Sequence, residues 1–132
     1  MAAVEEIKAY LSAVTPTLGD IYQDNMPASP ESCITVFRTP GAAGEHGFGV
    51  EGIAVEFAGI QIEVRGPAGD SATPRALAHR VYTELNKIQA KTLSGTFYRM
   101  ARHQNGPFRQ EIDENGCYIY SLNYLMEKGP SA

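Results

Sequence analysis

The sequence predicts an α+β fold, an antiparallel or mixed β-sheet with two helices packed on it. Apolar and polar residues alternate over residues 60–65, which is the period of a half-buried strand. Apolar residues then recur every three or four positions over residues 77–88, which is the period of an amphipathic helix. Alternation returns over residues 118–126, and this long closing strand offers the helix a sheet to cover.

The N-terminal third predicts one helix and two strands. Apolar side chains at helical spacing indicate a helix over residues 2–14, which ends before Pro16 because the residue preceding a proline avoids helical geometry. These apolar residues are Val4, Ile7, Leu11 and Val14. A short strand is expected within Leu18–Asp24. The β-branched and aromatic run Ile34–Thr39 predicts another strand, which Pro40 is expected to end.

The segment from Pro40 to Gly52 predicts a long flexible loop. Five of its thirteen residues are glycine, which disfavours a regular element. Long loops of this kind are commonly functional, so its charged and aromatic side chains are candidate interface residues. They are Glu45, His46, Phe48 and Glu51. The GxGxxG string at Gly47–Gly52 lacks the preceding strand and the following helix of a dinucleotide site, so no cofactor is predicted.

A second helix is predicted to begin near Thr73 and Pro74. Thr73 is a suitable cap, and the missing N–H of Pro74 costs nothing at the first helical position. The apolar stripe comprises Leu77, Val81, Leu85 and Ile88. Arg75, Arg80, Glu84 and Lys87 lie between these positions and are expected to face water.

The C-terminal third predicts paired strands. Residues Thr96–Arg102 are a candidate strand, and Gln104–Pro107 has the composition of a turn. Glu114–Gly116 contains an Asn-Gly pair, which tolerates the positive φ angles of a tight hairpin and leads into the closing strand. Residues 128–132 are expected to fray.

Length and composition favour a single domain over residues 1–132, with 43% hydrophobic residues to form its core. No apolar run approaches the roughly 20 residues of a membrane-spanning helix, so no membrane association is expected. The N-terminus lacks the basic start and apolar core of a secretory signal, so synthesis in the cytoplasm is expected. Cys33 and Cys117 form no CxxC pair and are expected to be buried, reduced thiols.

The charge distribution is strongly uneven. Residues 75–109 hold seven basic residues and one acidic residue, which leaves four basic and fourteen acidic residues elsewhere in the chain. Two solvated faces explain this pattern, and so does a surface with two complementary sides on which copies dock head to tail. Because the net charge is −4, the dominant positive field typical of nucleic-acid binding is absent, and no specific nucleic-acid binding is predicted.

The sequence predicts no catalytic residue and no metal site. Glu45 and His46 lack a third ligand at a workable spacing. His79 and His103 are interpreted as surface or edge histidines. The acidic residues within 111–114 are expected to form a solvated turn, because paired catalytic carboxylates are normally set in a cleft that separates their pKa values.

Several short motifs follow the N-terminal helix in order. They are Asp24–Pro27, Thr39–Gly41, Ile60–Gly66, the helix begun by Pro74 with Ala78, Val81 and Leu85, then Gly106–Phe108, Asp113–Gly116 and Tyr118–Tyr124. In this layout, from about residue 4 to 126, the chain resembles the small phage proteins described as minor capsid or tail terminator proteins of long-tailed bacteriophages.

The resemblance implies a tail-terminator-like fold, a structural role without catalysis or cofactor, and a place in the virion. Such a protein forms a hexameric ring at the head-proximal end of the tail tube, ends polymerisation of the major tail tube protein, and offers a surface to neck or connector proteins. Under this interpretation the loop residues contact a neighbouring subunit or the tube. A charged interface is then expected at Arg99, Arg102 and Arg109.

Two alternatives stay open at this point. A head-completion or neck protein is compatible with the same fold and the same landmarks. A small ligand-binding domain or enzyme that uses the glycine-rich loop as a lid is the alternative from a different functional class.

Overall fold

The computed structural model describes residues 3–45 and 55–129, and this part of the chain contains two helices and six strands. In chain order they are α1 (Ala3–Ser12), β1 (Ile21–Gln23), β2 (Cys33–Glu45), β3 (Val55–Ala68), α2 (Ala72–Leu85), β4 (Gln89–Leu93), β5 (Thr96–Ile112) and β6 (Cys117–Lys128). The predicted combination of two helices and a sheet is confirmed.

All six strands belong to one mixed sheet with the order β1-β2-β3-β6-β5-β4. β1 lies parallel to β2, and the remaining neighbours are antiparallel. The single parallel pair at one end makes the sheet mixed, whereas the sequence left an antiparallel and a mixed sheet open.

Both helices pack on the same face of the sheet and form the core with it. Val4, Ile7 and Leu11 of α1 are buried against this face, as are Val81 and Leu85 of α2. The sheet contributes the inward-facing positions of its strands, which are Ile34, Val36, Ile60, Ile62, Val64, Leu122, Tyr124 and Met126. The alternation seen in the sequence places these residues together because successive side chains of a strand point to opposite faces.

The opposite face of the sheet carries no helix and is polar at its centre. We call it the helix-free face, and its residues are Thr35, Phe37, Gln61, Glu63, Ser121 and Asn123. Thr35 and Ser121 are fully buried although neither helix lies on this side. The hydroxyl of Thr35 has no hydrogen-bond partner among the described residues.

The start of α2 differs from the prediction. Asp70, and not Thr73, supplies the capping carboxylate: its Oδ1 accepts from the Thr73 backbone N–H at 3.0 Å and its Oδ2 from the Thr73 hydroxyl at 2.6 Å. The hydrogen bond from the Thr73 side chain is the main reason that the pKa of Asp70 lies below its usual range. Pro74 occupies the third helical position, which is still within the first turn, where no intrahelical partner is lost.

The predicted loop from Pro40 to Gly52 is wrong in its first half, because β2 continues to Glu45. Pro40 does not end the strand. β1 pairs only with Ile34–Val36, and within the described residues the outer edge of β2 beyond them has no neighbouring strand that requires a backbone donor. Register shifts after Thr39 absorb the irregular residues. Residues 46–52 lie outside the described part of the chain.

The turn predicted at Gln104–Pro107 is also wrong, because these residues lie inside the 17-residue strand β5. Register shifts on both sides of Asn105 accommodate them, and Gly106 adopts a φ of +96°. The irregular residues form a bulge because β6 continues alongside and keeps the strand paired.

The hairpin between β5 and β6 is confirmed at residues 113–116, where the Asp113 carboxylate accepts from the backbone N–H groups of Asn115 and Cys117. Two residues of the predicted frayed tail are ordered, since Lys128 ends β6 and the Gly129 N–H donates to the Phe97 carbonyl at 3.1 Å. Residues 130–132 lie outside the described part. The single-domain prediction stays a prediction.

Candidate interaction surface

The second half of β5 is a long and mostly exposed edge of the sheet. β4 pairs only with Thr96–Met100, and the Ala101 N–H donates to the Ile88 carbonyl, so residues 102–112 have no neighbour on their outer side in the described part of the chain. We call residues 102–112 the free segment of β5. It carries the two large exposed apolar side chains, Phe108 at 41% and Ile112 at 47% exposure. An edge of this length with exposed apolar residues is a template for pairing with another chain.

Among the three predicted interface arginines, Arg102 makes an ion pair within the chain. Its Nη2 lies 2.7 Å from Oε1 of Glu127, a carboxylate that is 6% exposed. Its guanidinium also lies 5.5 Å from the centre of the Phe57 ring. Because Arg102 neutralises a nearly buried carboxylate, part of its role is to stabilise the fold.

The three predicted arginines lie on one strand but do not form one cluster. Arg102 pairs in register with Leu125 on the helix-free face, whereas Arg109 pairs with Tyr120, whose side chain belongs to the core side. Arg99 lies in the irregular register after Tyr98, and its side chain lies close to Gly129. All three are exposed, so they present positive charge on both sides of β5.

The four loop residues of the predicted interface fall at or beyond the end of β2. Glu45 is the last residue of β2 and pairs in register with Val55. His46, Phe48 and Glu51 lie outside the described residues. Their predicted contacts therefore stay proposals.

The opposite edge of the sheet is acidic. Asp20 and Asp24 are exposed and flank the three residues of β1. Their backbone groups form hydrogen bonds with β2: the Asp20 carbonyl accepts from the Ile34 N–H and the Asp24 N–H donates to the Val36 carbonyl, both at 2.9 Å. The Asp24 carboxylate lies 3.7 Å from Arg38, whereas Asp20 has no ion pair among the described residues. The uneven charge of the sequence thus becomes an acidic edge at β1 and a basic one at β5.

Glu63 is a half-buried carboxyl at the centre of the helix-free face. Burial raises its pKa, a hydrogen bond with Gln110 lowers it, and the nearby charge of Glu111 raises it again. Gln110 also accepts a short hydrogen bond from the Ser121 hydroxyl. This polar row links the free segment of β5 to the middle of the sheet.

Arg65 fastens an irregular segment to the end of the sheet. The guanidinium is 7% exposed and donates to three backbone carbonyl oxygens, those of Pro27 at 2.5 Å, Glu31 at 2.7 Å and Pro30 at 2.8 Å. Cys33 and Cys117 are buried free thiols, as predicted, and burial is the main cause that raises the pKa of each.

Within the residues that the structure describes, no three His, Cys, Asp or Glu side chains lie close enough together to hold a metal ion. His103 stacks edge-on against Tyr82 and Tyr124, and its Nε2 lies 2.7 Å from the Gly106 carbonyl oxygen. His79 is exposed on α2 and lines a shallow groove of about 400 Å³. Neither of the two helices in the described part is long and apolar enough to cross a membrane.

Phe108 and Ile112 are surface residues that sequence reasoning missed. Both follow the turn-like Gln104–Pro107, which concealed the continuation of the strand. The signal that was available is the alternation of Phe108, Gln110 and Ile112 with charged neighbours after Pro107.

A family model described as bacteriophage tail terminator protein matches residues 7–128. A solved chain named as part of the virion of a native gene transfer agent particle is 17% identical, with a TM-score of 0.69, and the match covers 98% of this chain and all of that one. A second solved structure, whose name states no function, is 16% identical with a TM-score of 0.56, and the match covers 96% of this chain and 92% of that one. At such identities these two structures show the fold alone. Among curated proteins, none matches the chain at a significant level.

Proposed function

The chain belongs to the family of bacteriophage tail terminator proteins, and from this membership we propose that it forms a hexameric ring on the head-proximal end of a phage tail tube. The observation that carries the proposal is the family match over residues 7–128, which includes the second half of α1 and every later element through β6. The role is structural, without catalysis or cofactor, and the protein works in the virion after its synthesis in the host cytoplasm.

The proposed mechanism consists of binding at the two faces of the ring, without a chemical reaction. One face of the ring binds the last ring of the major tail tube protein, so that further tube subunits have no site to add to. The other face binds neck or connector proteins and joins the tail to the head. Specificity arises from the arrangement of contacts, because association of this kind depends on shape and charge complementarity.

Two features of the described structure support a protein whose role is to bind other protein chains. Its long free edges, the free segment of β5 and the part of β2 beyond Val36, are suited to pairing with other chains. Its charge is separated between the edges, which favours a head-to-tail contact between identical copies. We assign Arg99 and Arg109 to a charged interface, and Arg102 both to that interface and to its ion pair with Glu127.

A head-completion or neck protein is the alternative role. The name of the similar solved chain refers to a virion particle and fits either role. The family description favours the terminator, because it names the tail.

The test measures the mass of the protein in solution and its ability to cap growing tubes. Light scattering on a size-exclusion column is expected to show a hexamer of the 14.3 kDa chain, either free or after addition of tail-tube ends. When the protein is added to polymerising tube subunits of the same phage, electron microscopy is expected to show shorter tubes with one end closed. Tubes of unchanged length without bound protein at their ends would overturn the proposal. Binding to purified connector alone would favour the neck role.

The segment after β2 has its own test. We assign Glu45, His46, Phe48 and Glu51 to contact with a neighbouring subunit or the tube. Deletion of residues 45–49 is expected to abolish assembly while the circular dichroism spectrum stays that of the folded chain. A normal ring in the deletion variant would remove this assignment.

A further inference from the structure

We propose that the sheet continues from one copy to the next, with the free segment of β5 in one protomer pairing antiparallel with β1 of its neighbour. The inference rests on the proposed ring and names the contact that closes it. The partner is a second copy of this chain, and the contact is heterologous, since two different edges meet.

The strand directions permit this pairing. β1 and β2 run the same way, and each of the three steps from β2 to β3, β6 and β5 reverses the direction. β5 therefore runs opposite to β1. In a ring whose copies differ by a rotation about an axis along the strands, the β1 strand of the next copy lies antiparallel to β5, and antiparallel pairs are the more stable type.

The register places the two edges at the same level of the sheet. One cross-strand row from β1 to β5 consists of Ile21, Ile34, Val64, Tyr120 and Arg109. The adjacent row consists of Tyr22, Thr35, Glu63, Ser121 and Phe108. If these rows continue into the next copy, Tyr22 lies opposite Phe108, and Ile21 lies opposite Arg109.

The side chains at this level suit each other. Phe108 is 41% exposed and shares the helix-free face with the half-buried Tyr22, so the pairing would cover both rings. Aromatic pairs across neighbouring strands are among the more stabilising side-chain contacts of a sheet.

Charge complementarity favours the same contact. The β1 edge carries Asp20 and Asp24, and the free segment of β5 carries Arg102 and Arg109 with one acidic residue, Glu111. Neither Asp20 nor Arg109 has an ion pair within the described residues.

The two edges cannot meet within one molecule. Five strand spacings separate β1 from β4 and four separate β1 from β5, and each spacing is about 4.8 Å. A covalent link between positions 22 and 108 therefore reports a contact between copies.

The experiment is a disulfide trap in the full chain with its native cysteines retained. Directly opposed residues of an antiparallel pair have Cα atoms about 4.5–5.5 Å apart, which is within disulfide range. The double variant Tyr22→Cys with Phe108→Cys is expected to give a ladder of linked species on oxidation, on non-reducing gels, up to the size of the ring. A mixture of the two single variants is expected to stop at linked dimers, and each single variant alone is expected to stay monomeric on the gel.

The matched control is Thr83→Cys combined with Tyr22→Cys, because Thr83 is exposed on α2 and belongs to neither edge strand. The oxidation is carried out on free protein and on protein bound to tube ends, with the mass measured in parallel. A hexameric mass without a ladder would overturn the edge pairing and leave the ring intact. No hexamer and no ladder in either sample would overturn both.

Charge reversal gives a second readout if the cysteine variants fold poorly. Arg109→Glu is expected to weaken association about tenfold or more, and its combination with Asp20→Lys or Asp24→Lys is expected to restore it, since the pair is then inverted. Equal association of Arg109→Glu and the native chain would contradict the proposed contact.

Discussion

The hydroxyl of Tyr98 donates a hydrogen bond of 2.6 Å to the carboxylate of Glu6 in the interior of the protein. Tyr98 is fully buried and Glu6 is 1% exposed, so the bond ties α1 to β5 across the core. Burial and the adjacent carboxylate both raise the pKa of Tyr98, which keeps the phenol a donor. The other oxygen of Glu6, Oε2, has no partner among the described residues.

Tyr98→Phe is expected to cost about 1.5–3 kcal/mol of unfolding free energy, because it removes the donor to a buried carboxylate oxygen. The matched control is Tyr124→Phe, which is expected to cost about 1 kcal/mol of unfolding free energy. The native Tyr124 hydroxyl lies 3.2 Å from the neutral amide oxygen of Asn86. Urea denaturation measures both. Equal costs would show that the carboxylate does not depend on Tyr98.

Arg65→Met is expected to destabilise the protein by about 2 kcal/mol and to expose residues 24–32 to limited proteolysis, since three carbonyl groups lose their common donor. Arg75→Met is the control, because Arg75 is exposed on α2. The cleavage sites are identified by mass spectrometry. Unchanged resistance in the Arg65 variant would mean that other contacts hold the segment.

Glu63→Gln is expected to change how stability depends on pH. Burial raises the pKa of Glu63 in the folded state above its ordinary value of 4.5, so the folded state holds the proton more tightly than the unfolded state. The stability contributed by this group is therefore complete below about 4.5 and falls as the pH rises through the folded pKa. The neutral amide that replaces the carboxyl in the variant cannot ionise, so the variant avoids this loss.

The measurement is the thermal midpoint of both proteins between pH 4 and pH 8. The thermal midpoint of the variant, relative to that of the native chain, is expected to increase as the pH rises. Glu114→Gln in the exposed hairpin serves as the control. A constant difference across this range would show that Glu63 ionises equally well in both states.

Gly106→Ala is expected to destabilise the protein more than Gly116→Ala. Both glycines have positive φ angles, +96° and +80°, so alanine is strained at either position by about 1 kcal/mol. A Cβ at Gly106 would also collide with the Ser121 carbonyl oxygen and lie 2.8 Å from the Leu122 Cα, whereas a Cβ at Gly116 meets nothing within 4 Å.

The difference between the two variants thus measures the steric clash, and we expect it to exceed about 1 kcal/mol. Chemical denaturation provides the comparison. Identical losses would indicate that β5 can move away from β6 at the bulge.

The regular elements could be predicted from the sequence because their periodicity is governed by burial on one face. α1 and the centres of β3 and β6 followed the helical spacing or alternation of their apolar residues, and the centre of β2 followed its β-branched and aromatic composition. β4 was not predicted, since Gln89–Leu93 is short, shows no apolar alternation and is exposed except at Leu93. The available signal was the Ser94–Gly95 pair, which forms the turn of its hairpin.

The irregular strands could not be predicted because tertiary pairing overrides local turn preferences. Pro40 and Gln104–Pro107 contain the residues of turns, yet neighbouring strands hold both segments extended with shifts of register. The same limit applies to the candidate surface. Three arginines near one another in sequence lie on both sides of β5, and Arg102 pairs with Glu127, which is 25 positions away and brought close only by strand pairing.

The buried state of Cys33 and Cys117 has a practical consequence for labelling this chain. Reaction with maleimides or mild oxidants requires an accessible thiolate, and burial both shields these sulfurs and raises their pKa. The native chain therefore behaves towards thiol reagents much like a cysteine-free protein while it is folded. Fluorescent or spin probes can be attached at introduced surface cysteines without replacing core residues, and reaction of the native thiols then serves as an internal report of unfolding.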